Sequence, residues 1–400
     1  MRAPRVSPVS LGRWASPFAL LVIWIVMTAL NPRFLSAVNL TNLMLQIVAV
    51  GAIAVGVVLV LLIGEIDLSV GAVSGLGASI TAVLVMKEGW PAGLAIATGL
   101  ATGAVVGLIH AAMVTRIGIP SFVVTLAGLL TWQGALLLVL GDTGSVNVTD
   151  DGLTAIAGTF LSPVLGWILS IGVAGAALAT IVLQVARGDR SRPWEMWRPG
   201  LIAAAALGAV AVFNADRGTP LAVVLFLAVL AVFDIVTRRT KLGRHAVAIG
   251  SNASAARRAG IPVDRIRMAV FALASVLAVT GGILAASRLL AVNQSSGGTD
   301  LMLTAITAAV IGGTSLFGGR GSVWSALLGS LVVGSLANGL DLLGASSAIR
   351  SISTGLVLAV AVALDTLARR GELPRRARGP IQVLREPAMR PPMNQRPRTM

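Results

Sequence analysis

The chain has 400 residues, of which 56% are hydrophobic, 12% are charged and none is cysteine, and its formal net charge is +15. Soluble globular chains carry about 25% charged residues; half that value, with a mean hydropathy of +0.89, points to a membrane protein rather than to the two or three soluble domains the length would allow. Absence of cysteine excludes a disulfide scaffold, a Cys-ligated zinc site and thiol catalysis, and the basic excess has to be read as membrane topology before nucleic-acid binding.

A hydrocarbon core of about 30 Å takes about 20 apolar residues in a helix. Twelve apolar segments meet or approach that length: 14–30, 43–63, 66–86, 91–113, 121–140, 162–184, 199–213, 219–236, 267–288, 301–317, 323–340 and 347–368. The expected fold is therefore all-α, a polytopic transmembrane bundle of about 12 spans over 14–368, with residues 1–13 and the tail 369–400 cytoplasmic. The first run follows Arg2, Arg5 and Arg13 in the manner of a signal peptide. Asn31-Pro32-Arg33 stands where a small-residue cleavage site belongs, so it reads as a retained helix. With the N-terminus inside, 26 of the 31 basic residues fall on inner segments, leaving Arg33, Lys87, Arg217, Arg288 and Arg350 outside, as the positive-inside rule requires. Without the short 199–213 span, the loop 238–267 and its eight basic residues would move outside, so charge supports that span. The outer connections 141–151 and 293–300 are short and polar. The Arg- and Pro-rich tail reads as disordered and solvated, with contact to anionic lipid or RNA the lesser reading.

Four features stand out within this frame. Gly71-x-x-x-Gly75 and the Gly99, Gly103, Gly107 series put small residues on one helix face, as close helix packing in lipid needs. In Gly64-Glu65-Ile66-Asp67-Leu68-Ser69-Val70-Gly71, two carboxylates lie between apolar runs. Asp67 or Ser69 is expected to cap the helix that follows, while a role in solute passage or proton relay stays open. Five glycines between Gly312 and Gly321 loosen one helix end and begin another, and irregular backbone at that depth must face protein or a watery cavity. Ser69-Val70 and Ser322-Val323 each open an outward-going helix after a glycine-rich turn, a faint echo between the halves. Fourth, the loop 238–267 contains a short helix with Asn252 as N-cap, Ala253–Ala259 as body, Gly260 as the residue past its end and Pro262 beyond. Too short to be stable alone, it must pack on its own bundle or on a cytosolic partner.

Chemistry of other kinds is missing. The two lysines, Lys87 and Lys241, do not follow glycine, so there is no Gly-Lys-Ser/Thr phosphate loop. His110 and His245 lie on different elements without metal-ligand spacing, and His110 reads as a helix-end residue. No catalytic set is assembled by the spacing. Gln46, Gln133 and Asn338 are polar within apolar runs, serving either interhelical hydrogen bonds or a solute pathway.

Three of these runs together resemble sugar-importing ABC permeases of the ribose/xylose type: Ile66 to Gly71; Gly243-Arg244-His245-Ala246-Val247-Ala248-Ile249-Gly250-Ser251-Asn252 with Ala255-Ala256-Arg257 and Gly260-Ile261; and Ala309 to Ser322, with Gly312, Gly313, Ser315, Gly318, Gly319 and Gly321. The match runs in order over about residues 40 to 368. An apparent extra helix pair around Arg187–Pro199, with Trp194, Glu195, Met196 and Trp197, is similar to the longer xylose permeases. Ser251 departs from the family, which usually has a second glycine there. The resemblance implies a multi-pass protein of the bacterial inner membrane, a second permease copy, a cytosolic ATPase pair and an extracytoplasmic sugar-binding protein. It implies no cofactor in this chain, ATP and Mg being bound by the ATPase, and no nucleic acid. It also implies that Gly243, Arg244, Gly250, Asn252, Ala255, Arg257, Arg258 and Gly260 belong to the ATPase-coupling segment, with Arg257 and Arg258 pairing with acids of the ATPase. Transport would proceed by alternating access, without covalent chemistry on the sugar.

Overall fold

A computed structural model describes residues 8–186 and 193–372; the expectations for 1–7, for 187–192 and for the tail from 373 onward lie outside the described residues. Helix α1 (Pro8–Leu30) leads through a 3-10 turn (Pro32–Leu35) to α2 (Ala37–Leu62), whose cap Ser36 accepts the Asn39 N–H. Next come α3 (Val70–Met86), α4 (Ala92–Ala112) with a π turn (Met113–Ile117), and α5 (Ser121–Leu140). Strand β1 (Ser145–Asn147), α6 (Asp151–Gly158) and β2 (Phe160–Leu161) then precede the hairpin of α7 (Pro163–Ala186) and α8 (Pro193–Asn214). After β3 (Thr219–Pro220) come α9 (Leu221–Arg239), α10 (Lys241–Ser251), α11 (Ala253–Arg258) and α12 (Val263–Leu289). The described chain closes with β4 (Ala291–Asn293), α13 (Thr299–Ile311), α14 (Trp324–Leu342) and α15 (Ser347–Glu372). Prolines 91, 120, 220 and 262 stand at the N-caps of α4, α5, α9 and α12, where a missing N–H breaks no helical bond.

Among the described residues, eight helices are long and apolar enough to cross a membrane, and shorter apolar helices lie at Ser16–Leu30, Val70–Met86, Thr299–Ile311 and Ser347–Ala363. Each of the twelve apolar segments expected from the sequence falls on a helix, with two corrections. The segment 66–86 is helical only from Val70, and 301–317 only to Ile311. Both corrections have one cause. Gly64 (φ +77°) and Gly313 (φ +105°) are left-handed residues just past α2 and α13. Gly64 N–H bonds Leu61 O and Glu65 N–H bonds Val60 O; Gly313 N–H bonds Val310 O and Thr314 N–H bonds Ala309 O. These paired bonds are Schellman caps, which satisfy the last carbonyls and stop the helix.

Helix α2 is the axis of the bundle: 89% of its most apolar 18 residues are buried, against 17% in α7. Its backbone approaches α12 closely, since a Cβ on Gly56 would lie 2.8 Å from Ala274 O and one on Gly281 would lie 2.6 Å from Ala49 O. Small residues supply this association in lipid, where burial of apolar surface gives no net drive. Helices α7 and α8 pack chiefly on each other and reach α2 through α8.

Two short ribbons add to the all-helical expectation. β1 pairs with β4 (Val146↔Val292) and β2 with β3 (Phe160↔Pro220), and the Arg217 guanidinium stacks 4.4 Å over the Phe160 ring. They fasten the connections at the end of the bundle where α5 and α12 finish. From β4 the chain folds back inward. A Cβ on Gly71 would lie 3.0 Å from Gly298 O, and one on Gly75 would lie 2.9 Å from the Ser296 carbonyl carbon. The Gly71–Gly75 face thus packs on this returning loop as well as on Met302 of α13 and Leu136 of α5, and α13, 13 residues long, rises only about 20 Å.

Asn39 and Asn338 exchange side-chain bonds between α2 and α14 at 2.8 and 3.1 Å, and Asn39 also donates to Phe34 O. Replacing either by alanine is expected to lower stability by about 0.6–1.7 kcal/mol, the range for interhelical bonds in bilayers, and the double replacement by less than the sum of the two. Thermal unfolding of the four proteins in detergent gives the coupling directly; strict additivity would show that the pair is not energetically linked.

Candidate functional site

The residues singled out by the sequence converge at one end of the bundle, and the segment Ile63 to Ser69 is their meeting point. Its first contact is backbone on backbone. Gly319 N–H donates to Leu62 O at 3.1 Å. A Cβ on Gly318 would lie 2.7 Å from Gly64 Cα and 2.8 Å from Gly250 O, and one on Gly250 would lie 2.5 Å from Gly319 N. Three runs nearly 190 and 70 residues apart in sequence therefore touch through glycine. The departure at Ser251 is accommodated: its hydroxyl turns back to Val247 O at 2.9 Å, and its backbone N faces Gly319.

Each following residue of the segment reaches a different helix. The Glu65 carboxylate pairs with Arg267 of α12 at 2.6 Å, both side chains mostly buried. The Ile66 N–H donates to Ser121 Oγ at 3.2 Å, and its carbonyl accepts from Thr125 Oγ1 at 3.3 Å, both on α5. Asp67 is 4% exposed, and its Oδ1 accepts from Ser69 N–H at 2.8 Å and from the Ser69 hydroxyl at 2.6 Å. This corrects the capping expectation. Ser69 occupies the N-cap of α3 without a side-chain cap bond, because its hydroxyl is committed to Asp67; Asp67 closes a turn two residues long instead of capping the helix.

The second run forms two helices. Thr240 caps α10, and Asn252 Oδ1 accepts the Ala255 N–H at 2.9 Å to cap α11. Gly260 (φ +78°) closes α11 with the same Schellman pair, its N–H on Arg257 O and the Ile261 N–H on Ala256 O. Gly243 of α10 packs on the Thr237 backbone, which seats α10 against the end of α9. Ala256 faces inward, whereas Arg244, Ala255, Arg257 and Arg258 are exposed. The Arg257 Nη2 lies 2.9 Å from Asp264 Oδ1 at the start of α12, a surface pair in which both side chains stay more than half exposed.

In the third run, Gly312 packs on the Ser325 backbone, the Ser315 N–H bonds Arg320 O at 3.0 Å, and a Cβ on Gly321 would lie 2.8 Å from Thr314 Cγ2. The α13–α14 connection is thus a folded turn lying on Leu62 and Gly64.

The three polar residues offered for a pathway are not brought together. Asn338 is held by Asn39 across α2 and α14, Gln133 donates to Gln294 O of the loop after β4 at 2.9 Å, and Gln46 is half-buried on α2. Sequence reasoning missed the partnership of His110. Set aside as a helix-end residue, it lies 2% exposed in the last turn of α4, between Ser69 and Trp132. Its isolation in an apolar segment was a signal; its partners, 41 and 22 positions away, were not legible. Among the described residues, no group of three or more His, Asp or Glu side chains is placed to hold a metal ion.

A family model described as the branched-chain amino acid transport system permease component matches residues 39–362. The xylose transport system permease protein of Haemophilus influenzae is 36% identical over 349 residues, covering 84% of this chain and 91% of its own. That of Escherichia coli K12 is 36% identical over 347 residues, covering 84% and 87%. The ribose import permease protein of Escherichia coli K12 is 33% identical over 350 residues, covering 88% and 92%. No solved structure matches the chain significantly.

The glycine contact is testable by comparing two positions in one turn. Gly318→Ala meets both a left-handed φ and the Gly64 and Gly250 backbones, so a loss of about 2–4 kcal/mol is expected. Gly313→Ala meets the left-handed φ alone, with nothing within 4 Å of the added Cβ, and a loss of about 1–2 kcal/mol is expected. Unfolding midpoints in detergent rank the two; equal losses would remove the close contact from the account.

Proposed function

Because the chain belongs to the family of transport-system permease components, we propose that it is the membrane-spanning permease subunit of an ATP-driven importer of xylose. Ribose or another sugar is the alternative. The family description speaks of branched-chain amino acids and the relatives' names of sugars. We follow the relatives, which match over most of their own length. Between xylose and ribose, the higher identity and the extra α7–α8 pair favour xylose.

The observation that carries the mechanism is the seating of the α10–α11 segment on the glycine contact. In this reading α11 is the coupling helix. A cytosolic ATPase holding ATP and Mg pulls on α11 and α10, Gly250 transmits the displacement to Gly64 and Gly318, and the helices begun or ended there tilt. The chain crosses the membrane twelve times with both termini and α11 on the cytosolic side, pairs with a second copy, and receives sugar from an extracytoplasmic binding protein. It contributes no catalytic residue; hydrolysis belongs to the ATPase chain. Arg257 and Arg258 are both exposed and meet ATPase carboxylates, Arg257 by exchanging its surface pair with Asp264.

Two measurements test this. Arg257→Glu with Arg258→Glu is expected to leave the permease in the membrane but to weaken co-purification of the ATPase by roughly tenfold, the effect of about 1.4 kcal/mol at the interface; undiminished co-purification would contradict the coupling assignment. In reconstituted vesicles, xylose-loaded binding protein is expected to stimulate ATP hydrolysis and xylose uptake. Stimulation by ribose alone would replace xylose, and no response to any pentose or hexose would remove the sugar reading.

A further inference from the structure

His110 joins three helices through hydrogen bonds whose direction is fixed. The Trp132 indole N–H of α5 donates to His110 Nε2 at 2.9 Å. An indole nitrogen is a donor only, so Nε2 must present its lone pair and the neutral ring must carry its proton on Nδ1. Nδ1 lies 3.4 Å from Ser69 Oγ, and the Ser69 hydroxyl in turn donates to Asp67 Oδ1. All donors therefore point one way, from Trp132 through His110 and Ser69 to the Asp67 carboxylate. Room for the ring is made by Gly128, where a Cβ would lie 2.5 Å from His110 Nε2 and 3.2 Å from Trp132 Nε1.

The chain of bonds ends on the same turn that bears Gly64. We propose that His110 is a positioning residue for coupling: held in its Nδ1–H tautomer by Trp132, it fixes the Asp67–Ser69 turn and so keeps Gly64 seated on Gly250 and Gly318. This rests on reading α10–α11 as the coupling segment. Loss of the Trp132 or His110 bond leaves buried polar atoms unpaired and frees the Asp67–Ser69 end of the turn from α4, while Ser121 and Thr125 of α5 still hold Ile66. The Glu65–Arg267 pair still holds the turn to α12. The expected consequence is slippage between ATP hydrolysis and transport rather than loss of the fold.

The sequence makes the test clean, because His110 and His245 are the chain's two histidines. Imidazole-15N-labelled protein in nanodiscs, with His245→Gln to assign the signals, is expected to show His110 protonated on Nδ1 and bare on Nε2 at neutral pH. Trp132→Phe, which keeps an apolar ring and removes only the donor, is expected to shift the tautomer toward Nε2–H. In vesicles with ATPase and loaded binding protein, Trp132→Phe and His110→Leu are expected to lower sugar imported per ATP by about fivefold, the factor one hydrogen bond is worth. His110→Asn, whose amide N–H replaces the Nδ1 donor to Ser69 but stops one bond short of the Trp132 acceptor, is expected to recover part of it. An Nε2–H or doubly protonated ring in the wild type would overturn the proposal, as would wild-type sugar per ATP in Trp132→Phe. Equal failure of His110→Asn and His110→Leu at unchanged unfolding temperature would also overturn it. Should His110→Leu not insert, Trp132→Phe alone decides. Failure of the importer reading itself would appear differently, as no transport by the wild type, with the tautomer measurement unaffected.

Discussion

The structure depends on one close approach of backbone to backbone, where the end of α2, the end of α10 and the α13–α14 turn meet through Leu62, Gly64, Gly250, Gly318 and Gly319. A membrane bundle gains nothing from burying one apolar side chain against another that lipid would not also supply. Such contacts must come from close packing and from backbone bonds that lipid cannot satisfy. The Gly319 N–H to Leu62 O bond and the missing Cβ atoms around it provide both. Any side chain at Gly250 or Gly318 would separate elements that hold most of the buried bundle.

The same constraint explains why the chain tolerates seven non-helical residues beside the most buried helix. Exposed polar backbone has no place at membrane depth, yet Ile63 to Ser69 are irregular. The Schellman cap satisfies the end of α2. Ser121 and Thr125 take the Ile66 backbone groups, and Asp67 takes the Ser69 N–H. Glu65 is neutralised by Arg267, and Asp67 Oδ1 is taken by Ser69 backed by His110, while buried Asp67 Oδ2 has no protein partner among the described residues. An apolar replacement of the segment would satisfy lipid but would leave α5, α4 and α12 without the bonds that orient them on α2.

The sequence made legible what is local. Asn252 as cap and Gly260 past the end of α11 follow from backbone geometry within ten residues, and the positions of the apolar helices follow from their length. Charge alone argued for the short helix at α8. What the sequence could not disclose is what distant residues do to one another. Asp67 looked like a helix cap, but its Oδ1 takes the N–H and hydroxyl of Ser69 two residues on, and Ser69 in turn faces His110 of α4. The surface pair of Arg257 with Asp264 was not legible because Asp264 lies across the bend between α11 and α12. Gln133 and Asn338 looked available to a solute because their partners, Gln294 O and Asn39, are 161 and 299 residues away. The returning loop at Ser296–Gly298 was hidden for a different reason: its small polar residues read equally well as an outer turn.

If the glycine contact is one packed unit, disturbing it in one run must loosen the other two. Hydrogen–deuterium exchange of Gly250→Val in detergent measures this most directly. The account predicts faster exchange together in peptides covering 61–70 and 312–322, with α7 and α8 unchanged. Faster exchange confined to residues 241–260 would contradict it.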